Sequence, residues 1–236
     1  MIRAILFDLD NTLLDRTAGF HEFACRFAER YAAVPESGRA GWTRRLIELD
    51  EDGYKPKHDL FRELPELLPC TCSDPAELMA FYEREYVAAA RAMSGAAQLL
   101  ASLRPYYRLG IVSNGKDAIQ RGKLERTGLA RWFESILVSE SAGCRKPQRE
   151  IFAMGLRELG VQPEQALFVG DHPVNDIQGA YFSGMKTVWL RSSQAWPDEA
   201  AALPDAVISE LAQLPAAIRL VSGQTAAADW RLSSGA

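Results

Sequence analysis

The chain has 236 residues, 47% hydrophobic and 25% charged, a balance ordinary for a soluble globular protein and long enough for one large domain or two unequal ones. A net charge of −4 gives no electrostatic footprint for a nucleic-acid polymer or an anionic membrane. No apolar run approaches the roughly 20 residues of a membrane span, and the apolar part of "MIRAILFDLDNT" is too short for a signal peptide and meets acids at once.

Residues 2–8 read as a short buried strand that runs into Asp8, with Asp10 two places on. Acids are poor strand formers and costly to bury unpaired, so two of them here demand a partner. From there to about residue 92 strand signals are almost absent. Phe20, Phe23, Phe27 and Tyr31 fall at helical spacing, as do Leu78, Phe81, Tyr82 and Tyr86. "SDPAEL" is a helix start with Asp74 as N-cap, Pro75 at N1 and Glu77 at N3, and Asp15 reads as the cap of the first helix. The region is expected to be a module of three to five helices. Cys25, Cys70, Cys72 and Cys144 are irregularly spaced with no histidine cluster beside them, which implies reduced thiols and a cytoplasmic location.

From about residue 95 the pattern alternates. Helices are expected near 95–104, 117–127, 148–159 and 174–183, between strands at "YRLGIVSNG", "SILVSE", "ALFVGD", "KTVWL" and "AVISE", with a last helix after them. Alternation of this kind implies right-handed crossovers and a parallel sheet. The first strand rejoins that sheet, which makes the helical module an insertion. The fold class is therefore α/β: a Rossmann-like parallel sheet core with helices on both faces (1–14 and 95–222) and an inserted α-helical cap domain (15–94). Residues 223–236 form a small, polar, poorly ordered tail.

Open parallel sheets bind ligands outside the carboxyl ends of their strands. The first strand ends in Asp8-Leu9-Asp10-Asn11-Thr12 and the second in Ser113-Asn114-Gly115. "GCRKPQ" brings Lys146 after the third, and the fourth ends in Gly170-Asp171, with Asp176 five residues further on. Acids gathered in this way repel one another unless a cation sits among them. Oxygen ligands select a hard ion, Mg²⁺ being the common choice beside phosphate. Metal, lysine and carboxylate together suit phosphoryl transfer, one acid attacking and the other moving protons.

These residues resemble the haloacid dehalogenase (HAD) superfamily, in its subfamily I phosphatase branch with an inserted helical cap of the C1 type. "FDLDNTLLD" is similar to motif one, "IVSNG" to motif two, Lys146-Pro147 in "CRKPQREIF" to motif three and "LFVGDHPVND" to motif four. The resemblance covers about residues 2–215. It implies a Mg²⁺-dependent phosphatase with Asp8 as nucleophile and metal ligand. Asp10 is the general acid/base, its backbone carbonyl also meeting the metal. Thr12, Ser113, Asn114 and Lys146 form the phosphate-binding set, with Lys146 stabilising charge on the nucleophile. Asp171 ligates the metal and Asp176 orients the ligand set from behind.

Dehalogenases of the same family lack an acid two places after the nucleophile, so Asp10 favours phosphoester hydrolysis. A phosphomutase keeps both acids and is an alternative; an inactive HAD-like binding protein is the non-enzyme alternative. The implied partner is a small phosphorylated metabolite, the implied assembly a monomer or homodimer. "SNGKDAIQRGK", with Gln120 and Lys123, is similar to nucleoside 5′-monophosphatases and N-acylneuraminate-9-phosphatases of this cap class. It leans toward a nucleotide or sugar phosphate; otherwise both are ordinary helix-surface residues. His172 is open between a substrate contact and a loop residue held by Pro173. Arg16, Arg44, Arg45, Lys55, Lys57 and His58 are cap cations, solvated or able to read a leaving group.

Overall fold

The computed structural model describes residues 1–192, 195–197 and 202–223; the expected tail lies outside them from residue 224 onward. The chain divides into two compact units. Met1–Thr12, Ser94–Asn114 and the chain from Trp132 onward form the first; Leu13–Met93 and Gly115–Arg131 form the second.

In chain order the strands are β1 (Ala4–Phe7), β2 (Arg108–Ser113), β3 (Ser135–Val138), β4 (Ala166–Gly170), β5 (Lys186–Leu190) and β6 (Ala206–Ile208). The helices are α1 (Arg16–Tyr31), α2 (Arg39–Leu49), α3 (Lys57–Leu67), α4 (Pro75–Ala88), α5 (Ala96–Leu103), α6 (Asp117–Arg126), α7 (Ser139–Ala142), α8 (Arg149–Glu158), α9 (Gly179–Phe182) and α10 (Leu214–Val221).

All six described strands make one parallel sheet in the order β3-β2-β1-β4-β5-β6. The isolated first strand thus returns to the centre. Ala4 to Phe7 are fully buried, as a strand covered on both faces requires. The order reverses at β1: the chain runs outward to β3 on one side, then crosses to β4 on the other. That is the switch point where the strand ends leave a crevice. Register sets its contents. Phe7 pairs with Ile111 and with Val169, so Asp8 comes one step beyond the paired region, level with Val112 and Gly170. Behind the sheet, Leu6, Val112, Ile151, Phe152, Leu156 and Phe168 fill one core. Gly155 is required there, because a Cβ would run into the Leu6 side chain.

The second unit is helical. α1 to α4 bury the aromatic stripes of the sequence: Phe23 and Phe27 stack among Tyr31, Trp42, Phe61, Tyr82 and Tyr86 with ring centroids 5–6 Å apart. Asp15 and Asp74 cap α1 and α4, accepting from Ala18 N and Ala76 N at 2.9 Å each. The segments that enter and leave the module pair with each other, Met93 N donating to Leu13 O at 2.8 Å and Asp15 N to Arg91 O at 3.0 Å. α6 belongs to this unit as well. Ile119 joins the aromatic core, and Gly122 packs against Val87 of α4. Lys123 lies buried with its ammonium 4.3 Å above the Tyr86 ring, and Gln120 is buried too, so neither is a helix-surface residue.

The cap cations are mostly paired within this unit. Arg16 and Lys57 each reach Asp50, which has no exposed surface, at 2.6 Å, and Arg16 also reaches Asp52 at 2.8 Å. Lys55 pairs with Glu63, Arg45 with Glu48 and His58 with Asp59. No helix among the described residues is long and apolar enough to cross a membrane.

The expected helix over 174–183 takes a different form. Pro173–Gln178 is one π-helical turn, and only Gly179–Phe182 is α. His172 O accepts from both Asp176 N at 3.0 Å and Ile177 N at 3.3 Å, which opens the turn by one residue. Such turns are uncommon and gather at functional sites.

Candidate active site

Asp8 leaves β1 with its backbone still laddered, its N–H donating to Val169 O at 2.9 Å. Its carboxylate is almost wholly buried and held from two sides. Lys146 Nζ donates to Oδ1 at 2.5 Å, and the buried Thr12 hydroxyl reaches Oδ2 at 3.4 Å. Asn11 between them adopts φ 59°, a left-handed turn that asparagine tolerates and that folds Thr12 back toward Asp8. Asp10 is half-buried on the same loop.

Lys146 arrives on a loop fixed by Asn114. The Asn114 amide accepts from Lys146 N at 2.9 Å and donates to Lys146 O at 3.1 Å. The residue after Ser113 therefore positions the lysine. Ser113 itself ends β2 and is buried. Lys146 Nζ also pairs with Asp176 Oδ1 at 2.7 Å, while Asp176 Oδ2 accepts from His172 N at 2.9 Å. A Cβ at Gly170 would collide with the Asp176 side chain, so the closeness of that carboxylate needs glycine at the end of β4. Carboxylate oxygens of Asp8, Asp171 and Asp176 lie within 4.8 Å of one another, all three residues being buried.

Electrostatics follow from that crowding. Burial pushes the Asp8 carboxyl up to about 7; Asp176 and Asp10 add to the rise and Lys146 opposes it. Burial likewise raises Asp171 to about 8, with Asp8 and Asp176 contributing and a Ser192 hydrogen bond and Lys146 opposing. Burial works against the Lys146 ammonium, but Asp176 and Asp8 outweigh it and hold its pKa above the usual lysine value. Burial lowers the His172 pKa, offset in part by Asp176.

The donor set fits a hard dication. Among the described residues, Asp8, Asp171 and Asp176 bring buried carboxylates together, Lys146 pairs with Asp8 and Asp176, and every donor of the cluster is oxygen. The excess negative charge is what such an ion would neutralise. Lys146→Met would remove the ammonium that pairs with both Asp8 and Asp176. We expect a loss of about 3 kcal/mol in stability, the scale for breaking a buried ion pair, and roughly 100-fold or more in turnover from lost charge stabilisation. Urea melts and steady-state rates test this; a variant as stable as wild type would show that the pair contributes nothing net.

The sequence reading missed Trp189. It sits on β5, and its indole N–H donates to Asp171 O at 2.8 Å, fixing the backbone that carries that acid. Nothing in "KTVWL" marks it, since a tryptophan in a buried strand reads as core. The reading also left open what the His172 side chain does. Its Nδ1 accepts from Val174 N and Asn175 N, both at 3.1 Å.

Residues 2–181 match the haloacid dehalogenase-like hydrolase family. The chain is 33% identical to the glyceraldehyde 3-phosphate phosphatase of Pyrococcus abyssi over 196 residues, 81% of this chain and 82% of that one. The HAD-hydrolase YfnB of Bacillus subtilis, solved bound to magnesium, shares 27% identity and a TM-score of 0.71, covering 90% of this chain and 96% of that one. The 2-haloacid dehalogenase of Pseudomonas syringae pv. Tomato shares 29% identity and a TM-score of 0.64, covering 92% and 98%. The chain belongs to the haloacid dehalogenase-like hydrolases. It is a hydrolase of that family's capped phosphatase type.

Proposed function

We propose that the protein is a Mg²⁺-dependent phosphomonoester hydrolase that acts on a small phosphorylated metabolite through an aspartyl phosphate on Asp8. The observation that carries this reading is the clustering of Asp8, Asp171 and Asp176, with Lys146 paired to Asp8 and Asp176, at the switch point of the sheet. Asp8, Asp171 and the Asp10 backbone would hold the ion, with Asp176 behind them. When bound, it supplies positive charge against the carboxylates and the phosphoryl oxygens.

The chain's own groups account for the rest. Asp8 attacks phosphorus with a carboxylate oxygen as the P–O bond to the leaving group breaks. Asp10 gives that oxygen its proton, so an alcohol departs rather than an alkoxide. Asp10, now ionised, takes a proton from water; the water oxygen attacks phosphorus, the P–O bond to Asp8 breaks, and inorganic phosphate leaves. Lys146 lies against the attacking carboxylate and would offset its charge and that of the phosphoryl oxygens as they approach. Ser113, at the end of the neighbouring strand, would hold a phosphoryl oxygen.

The dehalogenase relative raises the competing reading of carbon as the target. A halide leaves without a proton, whereas the oxygen of a phosphate ester needs one, and Asp10 supplies it. The phosphatase named among the relatives acts on a triose phosphate, and the "SNG-x4-Q-x2-K" pattern leans toward nucleotides or sugar phosphates. Triose phosphates, sugar phosphates and nucleoside 5′-monophosphates are therefore the first esters to screen. Purified protein is expected to release phosphate from p-nitrophenyl phosphate with Mg²⁺ and to stop in EDTA. Halide release from 2-chloropropionate, or no phosphate release from any ester with any divalent ion, would overturn the reading.

A further inference from the structure

We propose that His172 is a positioning residue whose imidazole caps the turn between Asp171 and Asp176 and thereby sets the affinity of the site for its divalent ion. The inference rests on the metal-dependent reading above and concerns a residue to which that reading gives no role.

Asp171 and Asp176 are five residues apart, yet both must bring a carboxylate oxygen within 4.8 Å of Asp8. The chain between them has to turn back tightly, and a helix start leaves backbone N–H groups without partners. His172 meets both needs with three polar groups. Its ring Nδ1 accepts from Val174 N and Asn175 N at 3.1 Å each. Its carbonyl accepts from Asp176 N at 3.0 Å and Ile177 N at 3.3 Å, and its N–H donates to Asp176 Oδ2 at 2.9 Å. A ring that accepts at Nδ1 is neutral and carries its proton on Nε2. Serine, asparagine and aspartate normally fill an N-cap; here imidazole does so.

The consequence reaches the ligands directly. With Oδ2 of Asp176 held by the His172 backbone, Oδ1 is left to Lys146. Trp189 anchors the other end of the loop through Asp171 O. Freeing the ring's two N–H partners would let the turn relax, and both acids would move relative to Asp8. Groups that orient ligands without touching the ion typically change metal affinity by about 10–100-fold.

The test compares full-length wild type, His172→Ala and His172→Asn, since the asparagine oxygen can accept from the same N–H groups. Mg²⁺ affinity is read by titration calorimetry and by the gain in Tm on adding Mg²⁺. Phosphate release then gives the Mg²⁺ concentration for half-maximal rate, the rate at saturation and KM for p-nitrophenyl phosphate. Expected are a Mg²⁺ affinity about 10-fold or more weaker in His172→Ala, a saturating rate within a few-fold of wild type, and recovery of most of the affinity in His172→Asn. Wild-type Mg²⁺ affinity in His172→Ala overturns the inference. So does a raised KM for the ester at unchanged Mg²⁺ affinity, which would make His172 a substrate contact. If His172→Ala fails to fold, His172→Leu, which keeps bulk but cannot accept from Val174 N and Asn175 N, takes its place: a Mg²⁺ affinity about 10-fold or more weaker than in His172→Asn upholds the proposal, and wild-type affinity overturns it. Wild type that binds no Mg²⁺ at all overturns the functional reading itself, a result distinct from either.

Discussion

Asp8→Asn is expected to lower phosphate release by about 10⁴-fold or more, the scale for losing a nucleophile, without unfolding the protein. Asparagine matches the shape of aspartate and still offers an oxygen to Lys146 and Thr12. It lacks the ionised oxygen that the proposed mechanism requires for attack on phosphorus. Lys146 is not orphaned either, because Asp176 still holds it at 2.7 Å. The substitution also removes one of three buried carboxylates gathered within 4.8 Å. The Tm in EDTA should therefore be no lower than that of wild type, and higher at alkaline pH, where Asp8 and Asp171 are both driven to ionise in wild type. Loss of function with equal or greater stability is what a site carrying unfavourable charge for the sake of chemistry predicts. Two results would count against this: residual turnover above about 1% of wild type, which would remove Asp8 as nucleophile, or a Tm in EDTA well below wild type.

Much of this arrangement is legible in the sequence because two periodicities carry it. Ile5-Leu6-Phe7 and Leu167-Phe168-Val169 are short apolar runs that stop at an acid or at the glycine before one. Once each run is a parallel strand, the residue that follows it comes to the same end of the sheet as those of its neighbours. The Phe20-Phe23-Phe27-Tyr31 stripe is equally explicit, since 3.6-residue spacing leaves one face for the core. The π-turn is not legible in this way. It depends on where the His172 ring and the Asp176 carboxylate fold back onto their own backbone, and hydropathy does not encode that.

Nor is the place of α6. Its sequence, DAIQRGKLER, is polar on most faces, and its burial comes from Ile119 in the aromatic core, the close approach of Gly122 to Val87 and the Lys123 ammonium over Tyr86. A buried lysine of this kind reads as a surface residue until its neighbour is known. The same blindness applies to Arg16 and Lys57. Their positions in the sequence suggest solvent or ligand, while in the fold both reach the fully buried Asp50.

The pH dependence of metal binding is the second large effect. Without metal, Asp8 sits at about 7 and Asp171 at about 8, against 3.8 for a free aspartate. Both shifts are upward, so between about pH 4 and 8 these two carboxyls hold more protons in the folded chain than in the unfolded one. Their contribution to the metal-free fold is then greatest at the acid end of this window and is lost as pH rises through it. Metal ligation requires the ionised acids, so binding must expel these protons. Near pH 6 it should release close to two per ion, since both carboxyls are then mostly protonated, falling toward none above about pH 8.5. Calorimetric titration in buffers of different ionisation enthalpy counts them. The gain in Tm on adding Mg²⁺ should accordingly be small at pH 5.5 and large at pH 8.5, because alkaline pH both removes this contribution to the metal-free fold and favours the bound form. Asp8→Asn should reduce the proton release by about one. An equal gain in Tm at the two pH values, or release of no protons at pH 6, would mean that the two carboxyls are already ionised without the metal. The charge of the cluster would then have to be balanced by the protein itself.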